Sequence, residues 1–141
     1  MLNIGHSAEC IVHRKTMAAQ YTSYRNLIVY QKAKGLTVDL INYFSKNRVY
    51  KSYEFLINQL FRSVSSIGAN IAEGYGRHYT QSFRQFLSIA RGSSFETDYW
   101  LDIATETGLA RSDILNDFSE RNNELAKMLT TMMKRTERSK N

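Results

Sequence analysis

Tyr53, Leu56, Leu60, Val64, Ile67 and Ile71 fall three or four positions apart along one stretch of the chain. That beat winds onto a single stripe of an α-helix; a strand, with its period of two, scatters the same residues over both faces. Three more stretches carry it. Val29, Ala33, Leu36, Leu40 and Phe44 form one row; Phe83, Leu87, Ala90, Ser94, Leu101 and Ala104 another; Leu115, Phe118, Leu125, Met128, Leu129 and Met132 the last. None of the 141 residues is proline, so no helix is broken from within. The chain is therefore all-α. Four amphipathic helices on short links pack as an antiparallel up-down four-helix bundle.

Local chemistry sets the expected boundaries. The second helix is predicted over 53–73, with Ile57 and Phe61 widening its stripe. Gly74, followed by Gly76, reads as its stop, because a glycine past the last helical residue readily turns left-handed. The third helix starts near Thr80 or Gln81, where the Thr80 hydroxyl can cap a free backbone N–H, and it ends at Gly108. Ser112 caps a fourth helix that ends near Arg135. The segment KNRVYKS is the link between the first two helices. The bundle domain then covers 23–135. Residues 1–22 form a weakly patterned arm or a short helical piece, and 136–141 a charged tail. A domain of this length buries about 68–70% of its unfolded surface, so it folds without metal or disulfide.

The single cysteine, Cys10, excludes an intrachain disulfide and points to a reducing cytoplasm. The opening MLNIGHSAECIVHRK holds no apolar run of signal-peptide length, and no later segment reaches membrane-spanning length. A cytoplasmic protein with no membrane partner is expected. Net charge is +6, unevenly spread. Residues 1–91 hold twelve Lys/Arg against four Asp/Glu, whereas 92–133 hold three against eight. A basic half and an acidic half suit nucleic acid or a second copy of the chain, and also fit ordinary solvated helix faces.

Catalysis finds little support. His6, His13 and His78 share no ligand spacing with each other or with a carboxylate pair, and no Glu-x-x-His sequence occurs. Cys10 and His13 are two candidate ligands, short of a metal site. No enzyme activity and no cofactor are expected. The basic residues are more informative. Arg77, Arg84 and Arg91 are spaced by seven, so Arg84 and Arg91 sit two helical turns apart on one side. Arg62, Lys32 and Lys34 extend that surface. An arginine fork matches phosphate through two parallel hydrogen bonds. The same row also suits a bundle edge, paired with Glu96, Asp98, Asp102 or Glu106 of a neighbouring copy. Small residues crowd SVSSIGANIAEG and ARGSS, either for tight packing within the chain or as a flat seam between copies. Glu73 stands at a helix C-terminus, where a carboxylate opposes the macrodipole by about 0.3–1 kcal/mol. Arg77, or an arginine from the third helix or another copy, should pair with it, and Asn70 should join that network.

These residues carry a resemblance. LIVYQKA, LINQLFRSVSSIGANIAEGYGR, FRQFLSIARGSSFETDYWL and ATETGL resemble the small four-helix bundle family encoded in intervening sequences of large-subunit ribosomal RNA genes. The specific block is Asn70 to Gly74 with Arg77, then Phe86-Leu87, then Gly92-Ser93 with Glu96. The family often has proline just before the Asn block, where this chain has Gly68-Ala69. The resemblance covers roughly 24–133. It implies a ring-like homo-oligomer, a pentamer in known relatives, with Asn70, Glu73, Gly74, Gly92, Ser93 and Glu96 at the junction or seam. It also implies a link to the accessory variability proteins of diversity-generating retroelements, which bind RNA or DNA and partner a reverse transcriptase. The basic charge and the arginine row fit that branch.

Overall fold

The computed structural model describes residues 23–77 and 80–138. The expected arm at 1–22, with His6, Cys10 and His13, lies outside the described residues, as do His78 and 139–141. Among the described residues there are four α-helices: α1 (Ile28–Lys46), α2 (Glu54–Gly76), α3 (Thr80–Glu106) and α4 (Ser112–Arg138). Short 3-10 turns, Tyr24–Asn26 and Lys51–Tyr53, lead into α1 and α2.

The helices form a four-helix bundle in which α1 packs on α2 and α4, and α3 packs on the same two. Cross-helix contacts fix the order. Thr37 of α1 meets Val64 of α2, and Ala33 faces Gly68. On α2 and α3, Ser63 meets Thr97 and Ser66 meets Ser93. On α3 and α4, Arg84 meets Glu137, Arg91 meets Thr130 and Ser94 meets Asn122. On α1 and α4, Lys32 meets Glu124 and Asp39 meets Arg121. In every set one number rises as the other falls.

The predicted apolar rows line the centre. All five α1 positions are buried, as are Leu56, Ile57, Leu60, Val64, Ile67 and Ile71 of α2. Leu87, Ala90, Leu101 and Ala104 of α3 face Leu115, Phe118, Leu125 and Leu129 of α4. Burying a side chain of this kind contributes about 1.5–3 kcal/mol, which offsets the entropy of ordering the chain. Tyr53, Phe61, Phe83, Met128 and Met132 are only half-buried against this core.

Two helices differ from expectation in their boundaries. Gly74 does not stop α2. The helix runs to Gly76, and Gly108 is the only described residue with a positive φ. Gly74 is required for space instead. A Cβ there would lie 2.5 Å from Phe86 Cβ, so only hydrogen allows α2 and α3 to come this close. Gly108 is a true helix terminator, with φ +66°. The Leu109 N–H donates to the Ala104 carbonyl at 2.9 Å and the Gly108 N–H to Thr105 at 3.2 Å, the paired bonds of a Schellman end. The second difference is α4, which persists to Arg138, into the segment expected to be a tail. Its start is also displaced: Ser112 is the first helical residue, and the Leu115 N–H donates to the Arg111 carbonyl.

A line of small polar side chains runs through the apolar core. Ser63, Ser93, Ser94, Thr97 and Asn122 are buried. Thr97 Oγ1 lies 3.0 Å from Ser63 Oγ, and the Ser66 and Ser93 hydroxyls are 2.9 Å apart. Asn122 donates to the Ser94 carbonyl at 2.9 Å, and its Oδ1 accepts from the Ser94 hydroxyl at 2.9 Å. Among the described residues, no buried side-chain nitrogen or oxygen lacks a partner.

Candidate nucleic-acid interface

The predicted site residues fall into three places. The first is the junction between α2 and α3. Glu73 and Arg77, four apart, put their charges on one side of the last turn of α2. Arg77 Nη2 lies 2.7 Å from Glu73 Oε1, and the guanidinium sits 5.2 Å from the centre of the Phe86 ring. Both partners are about half exposed, so solvent screens the pair. Asn70 does not join them. Its amide donates to the Ser66 carbonyl at 2.8 Å and the Ser66 hydroxyl at 2.9 Å. Ser66 in turn meets Ser93, so Asn70 belongs to the polar line in the core.

The second place is the α3–α4 edge. Arg84 Nη2 reaches Glu137 at 3.1 Å. Arg91 donates from Nε to the Thr130 hydroxyl at 2.9 Å and lies 4.8 Å over the Phe95 ring. The arginine row is thus engaged inside the chain: Arg77 within α2's own terminus, Arg84 and Arg91 across to α4. Glu96 and its neighbours Asp98, Asp102 and Glu106 carry no ion pair among the described residues, although Trp100 Nε1 donates to Glu96 at 3.4 Å. Phe95 and Tyr99, both more than half exposed, stand on this side of α3. Gly92 is exposed there, and a Cβ on it would meet nothing within 4 Å.

The third place is the α1–α2 face. Lys32 leaves it, paired with Glu124 at 2.8 Å. Lys34 and Arg62 have no carboxylate partner among the described residues. Lys34 borders a shallow groove of about 190 Å³, floored by Gly68, Ala69 and Ala72 and flanked by Tyr30 and Val38. The small residues of α2 thus serve two ends: Ser63, Ser66 and Gly74 pack toward α3, while Ala69 and Ala72 leave the groove open.

Residues that the sequence reading passed over lie in the α1–α2 link. Lys46, Arg48 and Lys51 are exposed and have no carboxylate partner among the described residues, and Tyr50 is 81% exposed. The signal was present: three cations fall within six residues, with no acid between Asp39 and Glu54.

One carboxyl is perturbed. Asp113 is held below the usual carboxylate range, chiefly by the Arg111 side-chain hydrogen bond, with Nη2 at 2.7 Å and Nε at 3.1 Å. It is fully exposed in the first turn of α4, where a negative charge also complements the helix dipole. Among the described residues no group of three or more His, Cys, Asp or Glu is placed to hold a metal ion. Nor is any helix of these residues long and apolar enough to cross a membrane.

Comparison with known proteins places this arrangement. No curated protein matches the chain. A crystal structure from Bacteroides thetaiotaomicron, of a protein with unknown function from the S23 ribosomal protein family, is similar at a TM-score of 0.65 and 26% identity. The likeness covers 76% of this chain and 99% of that one. The family described as 23S rRNA-intervening sequence protein matches residues 25–131, which takes in all of α1, α2 and α3 and most of α4. The chain belongs to the 23S rRNA-intervening sequence protein family.

Proposed function

We propose that this is a non-enzymatic, homo-oligomeric nucleic-acid-binding accessory protein, built as an antiparallel bundle and assembled into a ring, with five copies favoured. The descending residue pairs between neighbouring helices support the antiparallel order. One observation carries the nucleic-acid reading. Of the eight Lys and Arg in residues 23–77, six (Arg25, Lys34, Lys46, Arg48, Lys51 and Arg62) have no carboxylate partner among the described residues. Cations without carboxylate partners on α1, α2 and the segments that lead into them are available to phosphate. A ring repeats that set and adds avidity without any base-reading motif. RNA and DNA should both bind, with little regard to sequence.

The test is a fluorescence anisotropy titration of labelled RNA and DNA strands at two salt concentrations. Affinity should fall steeply between about 50 and 200 mM salt, as it does for proteins that neutralise several phosphates. No binding, or binding indifferent to salt, overturns the reading. Light scattering tests the ring separately. The accessory branch implied by the resemblance adds a reverse transcriptase as partner. Co-purification of the two tests that, and a neighbouring reverse transcriptase gene beside paired template and variable repeats is the genomic counterpart.

A second reading is a protein-interaction bundle with no nucleic-acid role. What favours it is the engagement of Arg77, Arg84 and Arg91 inside the chain, with Glu96, Asp98, Asp102 and Glu106 carrying no ion pair among the described residues and Phe95 and Tyr99 exposed on the same helix. Lys34→Glu with Arg62→Glu separates the two. Loss of nucleic-acid binding with an intact oligomer supports the first; loss of the oligomer supports the second.

A further inference from the structure

We infer that the α1–α2 link, residues 46–51, is a contact for single-stranded nucleic acid, with Tyr50 as the stacking surface and Lys46, Arg48 and Lys51 as phosphate ligands. The inference deepens the proposed function and rests on it.

The link is held in place at several points. Asn47 closes α1, its backbone N–H donating to the Tyr43 carbonyl at 3.1 Å and its side-chain amide to the same oxygen at 2.7 Å. Val49 is half-buried against the core. The Tyr53 N–H donates to the Tyr50 carbonyl at 2.9 Å, and the Tyr53 hydroxyl donates to the Thr107 carbonyl at 3.1 Å. The segment is therefore pinned on both sides of Tyr50, yet the Tyr50 ring itself remains 81% exposed and packs on no other ring among the described residues.

An exposed aromatic among anchored backbone, flanked by cations, matches the chemistry of a single strand. Unpaired bases offer free faces for stacking, and the phosphates beside them meet the cations. A duplex hides those faces, so Tyr50 gains nothing from it. Glu54 and Glu106 share this end of the bundle, and among the described residues neither forms an ion pair that would tie the three cations down. Asp113, in the first turn of α4, is already paired with Arg111. The engaged arginines of the α3–α4 edge offer no comparable set.

The experiment compares a labelled uridine or thymidine strand with a duplex of equal length, titrated with the whole chain. Tyr50→Ala should weaken single-strand binding about tenfold and leave duplex binding unchanged, while Tyr50→Phe retains wild-type affinity. Replacing Lys46, Arg48 and Lys51 by Ala should flatten the log–log salt dependence by about 2 for each copy engaged on a single strand. Helical circular dichroism and sizing check that each variant folds and assembles as the parent does. If the parent binds and these variants bind equally well, the inference falls and the proposed function stands. If the parent binds no nucleic acid, both fall. If the link variants lose binding only to anionic lipid vesicles, the site is real but its ligand is not a nucleic acid, and the inference is again overturned.

Discussion

A single methyl group at Gly74 tests the close approach of α2 and α3. In Gly74→Ala the new carbon would start 2.5 Å from Phe86 Cβ and 3.2 Å from Phe86 Cγ and Phe83 Cδ2. Carbon atoms settle at about 3.5–4.0 Å, so the gap must open by about 1 Å. Phe86 Cβ is bonded to the α3 backbone and cannot rotate away, so the helices themselves must move. Overpacking of this kind costs about 1–3 kcal/mol. Against it stands the better helix propensity of alanine, about 1 kcal/mol. The net is a destabilisation of about 1 kcal/mol. Gly35 supplies the control. It lies inside α1, and its nearest neighbour to a new Cβ is Arg121 Nη2 at 3.8 Å, an ordinary contact. Gly35→Ala should therefore stabilise by about 0.5–1 kcal/mol. The difference between the two variants, about 1–3 kcal/mol, isolates the packing effect. Urea unfolding followed by circular dichroism measures it, with m-values compared and protein concentration matched because assembly couples to stability. Equal stabilisation by both substitutions would refute the close approach.

Three further outcomes are expected. Asn122→Ala removes a buried amide that bonds Ser94 twice, and should destabilise by about 2–3 kcal/mol in the same urea assay; a change under about 0.5 kcal/mol would show that the pairing adds nothing. Gly92→Ala adds a methyl group to an open position of α3, so the helix should gain stability while light scattering shows a weakened oligomer; an unchanged oligomer removes Gly92 from the seam. Asp113 should titrate below the usual carboxylate range by NMR and return toward it in Arg111→Ala. Its folded-state value is lowered, so its contribution is present above the unfolded-state pKa and fades as pH falls through the folded one. An Asp113 resonance unmoved by Arg111→Ala would break that assignment.

The apolar rows made the helices legible, because burial enforces the period: the whole α1 row is buried, as are Leu56 to Ile71 on α2. Glycine was harder to read. Gly74 and Gly108 look alike in sequence, yet Gly108 turns left-handed to end α3 while Gly74 stays helical and makes room for Phe86. Only the neighbour across the interface tells them apart. Asn122 was missed because a lone polar residue on a core face has no periodic signature; its partner Ser94 lies on another helix. The arginine row shows the same difficulty. Its spacing placed Arg84 and Arg91 on one side of α3 but could not say that α4 offers Glu137 and Thr130 there. Among the described residues the cations without a carboxylate partner stand mostly on α1, α2 and their link; the sequence points to Lys34 and Arg62, whereas KNRVYKS reads only as a connection.

The polar line through the core bears on register. Leucine and isoleucine stripes tolerate sliding: moved by one turn, about 5.4 Å, apolar side chains still meet apolar side chains. Hydroxyls and amides do not tolerate it. Ser63 with Thr97, Ser66 with Ser93, and Ser94 with Asn122 reach each other only over about 3 Å, and a slip of α3 would break all three pairings at once. The Ser63, Ser93 and Thr97 hydroxyls would keep their bonds to carbonyls of their own helices, whereas the buried Asn122 amide would be stranded as both donor and acceptor. Each stranded group costs about 1–3 kcal/mol, so the misaligned bundle loses more from these contacts than the aligned one gains. The contacts act as a vernier, with α3 as the scale read against α2 on one side and α4 on the other. A chain with Ser63, Ser94, Thr97 and Asn122 replaced by apolar residues should keep its helix content but show duplicated amide resonances; a single sharp set would assign the register to side-chain shape alone.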